Sequence, residues 1–117
     1  MLAAGCGSQE AERSSRAADL SLARLYLDAA CAQLSGDLRF RRSLGELKDP
    51  STTLDRALRK FTDEYRRDPH GEHQLPVEGH KSTRQVLTDL TPVLRSRCGG
   101  EGKIAARQLD RVLAAGP

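Results

Sequence analysis

At 117 residues the chain is the size of one domain. Only 3% of it is aromatic, there is no Trp, and the single Ile is residue 104, so the core has to come from Leu, Ala and Val, a composition that suits packed helices better than strands. The net charge of +3 is too weak to imply nucleic acid, and no run approaches the ~20 apolar residues of a membrane-spanning helix.

The chain begins Met1-Leu2-Ala3-Ala4-Gly5-Cys6. Small residues ahead of a Cys fit a peptidase cleft, and the thiol can take a diacylglycerol. Leu2-Ala3-Ala4-Gly5-Cys6 resembles the lipobox that closes the signal of a bacterial lipoprotein, and Gly7-Ser8-Gln9-Glu10 resembles the short polar tether that follows one. The resemblance implies lipidation at Cys6, an extracytoplasmic address and a membrane anchor. It covers only the start of the chain: residues 1–9 form the lipobox-like N-terminus and tether, and residues 10–117 a single helical domain. The residues before Cys6 lack the basic start and apolar run of a complete signal. An in-frame extension upstream of Met1 would complete it, and otherwise the N-terminus is a cytosolic tail with an exposed thiol.

The first helix is expected from about Ser8 or Gln9 to Ser35, with Leu20, Ala23, Leu27, Ala30 and Leu34 forming one apolar stripe and Gly36 ending it. Glu12 and Arg16 are placed for an i,i+4 pair. Asp37 to Lys48 reads as a short helix carrying Phe40, Leu44 and Leu47, weakened by Gly45. Asp49-Pro50 is a start signal, with Ser51 a rival cap, and Leu54, Leu58, Phe61 and Tyr65 make the clearest stripe in the chain. On the other side Asp55 with Arg59 and Asp63 with Arg67 have i,i+4 spacing, and Asp68-Pro69 ends the helix.

Pro69 to Lys81 holds Gly71, Pro76 and Gly79 without periodicity and reads as a loop. Ser82-Thr83-Arg84-Gln85 is a capping box that opens a helix through Val86, Leu87, Leu90, Val93 and Leu94. Pro92 is expected to kink or split that helix, and Gly99-Gly100 to end it. A last helix is expected from about Glu101 to Ala114, with Ala105, Leu109, Val112 and Leu113 inward. The fold class is all-α: a small antiparallel bundle of four main helices plus the short one.

Three cysteines leave an odd count. If Cys6 carries lipid, Cys31 and Cys98 remain as a pair, and such pairs persist outside the cytosol. Cys31, among Ala29, Ala30 and Ala32, also reads as a small buried hydrophobe. Cys98, beside Arg97 and before Gly99-Gly100, suits burial less well.

Positive charge is concentrated in Gly36 to Arg67, which has nine basic residues against six acids, while Met1 to Ser35 has three against four and Asp68 to Pro117 seven against six. Arg39, Arg41 and Arg42 with Arg56 and Arg59 form a candidate basic face for phosphate, anionic lipid or an acidic protein. The interspersed acids Asp37, Glu46, Asp55, Asp63 and Glu64 give the alternative of an ordinary solvated surface. Near-absence of aromatic stacking partners argues against nucleic acid. His70, His73 and His80, with Glu72 and Glu78, are imidazole and carboxylate ligands at close spacing, yet they match no established metal pattern and read first as a polar loop. No phosphate loop, nucleophile elbow or other catalytic constellation is present, and no cofactor is implied.

Two functions follow. One is an extracytoplasmic, membrane-anchored helical lipoprotein with a binding or structural role in the cell envelope. The other is a cytosolic helical adaptor or regulator that meets an acidic partner through its Arg-rich face.

Overall fold

The computed structural model describes the backbone of residues 2–36, 47–75 and 79–117, and side chains within 15–36, 47–72 and 79–117. Among the described residues four helices and one hairpin follow in order: α1 (Leu2–Ser35), α2 (Pro50–Arg67), β1 (Glu72–Leu75), β2 (Gly79–Ser82), α3 (Thr83–Arg97) and α4 (Gly99–Ala115). Contacts at the helix ends fix their directions. Arg16 of α1 meets Glu64 near the end of α2, Tyr65 meets Arg84 at the start of α3, and Ser51 at the start of α2 meets Glu101 at the start of α4. Each helix therefore runs antiparallel to the one before it, as the four-helix expectation requires.

The expected stripes are the ones that pack. Leu20, Ala23, Leu27 and Ala30 of α1, Leu54, Leu58, Phe61 and Tyr65 of α2, and Val86, Leu87, Leu90 and Leu94 of α3 are buried together with Ala105, Ala106 and Leu109 of α4. Leu34, Leu47, Val112 and Leu113 close the edges of this core. Among the described residues Val contributes only Val86 to the buried set, and the lone Ile104 faces solvent. Small residues do much of the filling, and α3 and α4 come close enough at Gly102 that the carbonyl of Leu94 and Cβ of Cys98 occupy the space of a side chain there.

The caps explain the boundaries. Asp49 accepts the backbone N–H of Thr52 at 3.2 Å and its hydroxyl at 2.7 Å, with Pro50 in the first turn. These bonds, the Thr52 hydroxyl foremost, hold the Asp49 carboxyl below the usual carboxylate range. Ser51, the rival cap, instead donates to Glu101 Oε1 at 2.7 Å. Ser82 caps α3 by accepting the Gln85 N–H at 3.2 Å. Only half of the capping box forms, because the Gln85 side chain turns to Asp89 at 2.7 Å.

Several expectations are corrected. The first helix starts at Leu2, so the supposed tether residues are helical, and its 34 residues run for about 51 Å. Pro69 to Lys81 is not simply a loop. It contains an antiparallel ladder that pairs Glu72 with Ser82, His73 with Lys81, Gln74 with His80 and Leu75 with Gly79. Backbone carbonyls of this segment complete the start of α3: Thr83 N–H donates to Gly71 at 3.0 Å and Arg84 N–H to Pro69 at 3.3 Å. Those are the helix-end donors that would otherwise lack partners, and no periodicity in the sequence reports such long-range pairing. Lys81 then ties the hairpin to α3 through Asp89 at 2.6 Å, which lowers the Asp89 carboxyl's pKa.

Pro92 lies within α3 without splitting it. It is exposed, so its ring projects outward rather than into the core. The junction between α3 and α4 falls at Cys98, and Gly99, with φ +66°, makes the reversal. The last helix thus begins two residues earlier than expected, at Gly99. Asp63 and Arg67 do not pair as expected: Arg66 is the cation near Asp63, at 3.9 Å, while Arg67 lies 3.9 Å from Glu64. The short helix expected over Asp37–Lys48 falls mostly on residues 37–46, outside the described residues, as does the Glu12 side chain.

Candidate binding surface

The three cysteines divide as two and one. Cys31, late in α1, and Cys98, at the end of α3, form a disulfide across 67 residues of sequence. Both are buried in the core, so the bridge is a structural staple and not an accessible thiol pair. Cys6 lies on the first turns of α1.

The basic face resolves in part. Arg39, Arg41 and Arg42 lie outside the described residues. Arg56 and Arg59 are exposed on the outer side of α2, with Lys60, Arg66 and Arg67 following along the same ridge. Glu64, read from the sequence as one of the surface acids, is only 6% exposed and faces Arg16 of α1 at 3.2 Å.

Two of the three histidines have described side chains, and these lie at the surface. His70 and His80 are exposed, with His80 Nδ1 3.8 Å from Glu72 Oε2 at the hairpin edge. His73 holds a ladder position opposite Lys81. Among the described residues no group of three His, Cys, Asp or Glu side chains is close enough to hold a metal ion.

Two grooves flank the basic ridge of α2. One lies between α2 and α4, about 390 Å³ in volume, with Leu58, Leu109 and Val112 in its floor and Arg59 and Arg66 on its rim. The other lies between α1 and α2, about 320 Å³ in volume. Ala23 and Ala57 floor it, Leu22 and Tyr26 form the α1 wall, and Arg56 and Lys60 stand on the α2 wall, with Asp19 at one end.

The α1 wall is unusual for a solvent-facing helix surface. Leu22 is 52% exposed and Tyr26 40%, and Leu25 beside them, outside the groove lining, 55%. With Ala18 they form a second apolar stripe, offset from the core stripe of Leu20, Ala23, Leu27 and Ala30, and it runs into Ala29, which is buried. That stripe is present in the sequence, and counting apolar positions all round α1 would have found it. The core stripe alone satisfies the helix assignment and carries no signal for this second face or for Asp19.

No family model, no curated protein and no solved structure matches this chain. Among the described residues no helix is long and apolar enough to cross a membrane.

Proposed function

We propose that this chain is an extracytoplasmic helical protein anchored to a membrane through lipid on Cys6, with a binding role exercised from the exposed faces of α1 and α2. The Cys31–Cys98 disulfide carries the reading. Intramolecular disulfides form and persist outside the reducing cytosol. With two of the three cysteines joined, Cys6 is the one left over, within the sequence that resembles a lipobox. The path of α1 suits an anchor: about 21 Å of helix separates Cys6 from Leu20, the first buried core residue among the described side chains. A bundle held that far from a bilayer keeps both α2 grooves open to partners.

Mass spectrometry of the protein isolated from its native host tests the reading. The expected species begins at a diacylglyceryl-modified Cys6 and contains no free thiol at Cys31 or Cys98. Retention of residues 1–5 with unmodified Cys6 overturns the anchor, and free thiols at both core cysteines overturn the compartment.

A second reading, a cytosolic adaptor that binds an acidic partner, draws on the exposure of Arg56 and Arg59 on α2. It predicts reduced cysteines and binding that weakens with salt.

A further inference from the structure

We infer that the groove between α1 and α2 receives an acidic amphipathic helix of a partner protein. This rests on the binding role proposed above but not on the compartment or the lipid anchor.

Three features specify the occupant. The first is exposed apolar surface. Leu22 and Tyr26 of the α1 wall, one helical turn apart, are both exposed, and Leu25 lies exposed beside them, outside the groove lining. A helix laid against that face meets the spacing its own apolar ridge can fill.

The second is charge. Arg56 and Lys60 stand on the opposite wall one helical turn apart, both exposed. Carboxylates four residues apart on a partner helix have the same axial separation, about 6 Å, so each can meet one cation. Among the described residues Asp19 is the one acidic group lining this groove, against Arg56 and Lys60; Asp63 and Glu64 line the adjoining hollow, where Arg16 and Arg67 stand with them.

The third feature chooses among occupants. A second copy of this chain docking face to face would set Arg56 and Lys60 of one protomer towards the same cations of the other, with a single Asp19 from each as compensation. An anionic bilayer would meet the whole outer side of α2, where Asp55 and Asp63 offset two of the five cations at about 1 kcal/mol each, and its flat headgroup surface would leave the concave floor of Ala23 and Ala57 unfilled. An acidic helix inside the groove avoids both conflicts. It reaches Arg56 and Lys60 from the α1 side and covers Leu22 and Tyr26 in the same contact.

The test uses the full chain and a synthetic helical peptide of about 18 residues, long enough to span the groove. The peptide carries a leucine stripe flanked by glutamates four residues apart. A control peptide has each of these glutamates replaced by lysine. Fluorescence anisotropy is expected to show saturable binding of the glutamate peptide and at least about tenfold weaker binding of the lysine peptide. The double variant Arg56→Glu/Lys60→Glu should reverse that preference. Leu22→Ser/Tyr26→Ser should abolish binding of both peptides while thermal melts show the bundle still folded, since these side chains are exposed.

Equal affinity for the two peptides, or a charge-reversed variant that keeps the original preference, overturns the proposal. So does self-association in sedimentation that Leu22→Ser/Tyr26→Ser removes, which would assign the face to a second copy. Binding to phosphatidylglycerol vesicles that is lost in the same variant, without peptide binding, would assign it to a membrane instead. None of these outcomes depends on the state of Cys6, so failure here is separable from failure of the lipoprotein reading.

Discussion

Arg16 Nε of α1 lies 3.2 Å from Glu64 Oε1 of α2, and Glu64 is almost wholly buried. The pair joins the two helices at the end of the bundle opposite the disulfide. A buried carboxylate is tolerated only where a cation and hydrogen-bond donors meet it. Arg67, exposed and 3.9 Å from Glu64, is a weaker countercharge than Arg16. Arg16→Ala is expected to destabilise the fold by about 2 kcal/mol, and Arg16→Ala/Glu64→Gln by less than the single change, because the second substitution removes the stranded charge. Urea melts of the three proteins measure the difference.

The Cys31–Cys98 bridge closes a loop of 67 residues. The chain-entropy relation makes such a closure worth about 4 kcal/mol, a large part of the stability of a domain this small. Cys31→Ala/Cys98→Ala should lower Tm strongly. Because both cysteines are buried, wild-type protein should resist mild reductant when folded and lose the bridge only under conditions that also open the bundle. Thiol trapping at increasing urea in the presence of reductant follows this directly.

Two glycines one residue on either side of Glu101 should respond with opposite signs. Gly100 has open space where a Cβ would sit, so Gly100→Ala should stabilise α4 by about 0.5 kcal/mol through helix propensity. At Gly102 a Cβ would collide with the Leu94 carbonyl and Cys98 Cβ. Gly102→Ala should therefore destabilise by about 1–3 kcal/mol despite the same gain in propensity. Thermal melts of the pair isolate close helix approach from propensity.

Asp49 and Asp89 both have folded pKa values below the ordinary carboxylate value, through the Thr52 hydroxyl and the Lys81 ammonium respectively. A lowered folded pKa adds stability that is fully present above the unfolded value of about 3.9 and is lost as pH falls through the folded one. Tm should decline across that acid window. Asp89→Asn should flatten part of the decline, and hydrogen exchange should show the β1–β2 hairpin less protected at neutral pH, since Lys81 then loses its anchor on α3. A hairpin equally protected in Asp89→Asn would show that the backbone bonds to Pro69 and Gly71 suffice.

Much of the framework was legible in the chain. Asp49-Pro50, Ser82 and Asp68-Pro69 are local signals whose chemistry acts within a few residues, so they set helix ends wherever the helices go. The stripes on α1, α2 and α3 are legible for the same reason: burial follows from spacing along one element. The Cys31–Cys98 pairing was reachable by counting, with Cys6 set aside. The β1–β2 hairpin was not, because its ladder and its bonds to the start of α3 join residues that no local preference links.

The sequence by itself therefore determined that four amphipathic helices form and roughly where each begins and ends, because caps, proline geometry and helical spacing are short-range physics. The tertiary structure decided which charges are buried and which apolar residues are left outside. Packing brought Arg16 of α1 to Glu64 of α2, a contact that spacing along one helix does not report. Leu22, Leu25 and Tyr26 are as apolar as the core stripe beside them. Only the placement of α2 decides that Leu20 and Leu27 are covered while this second face remains open beside Arg56 and Lys60.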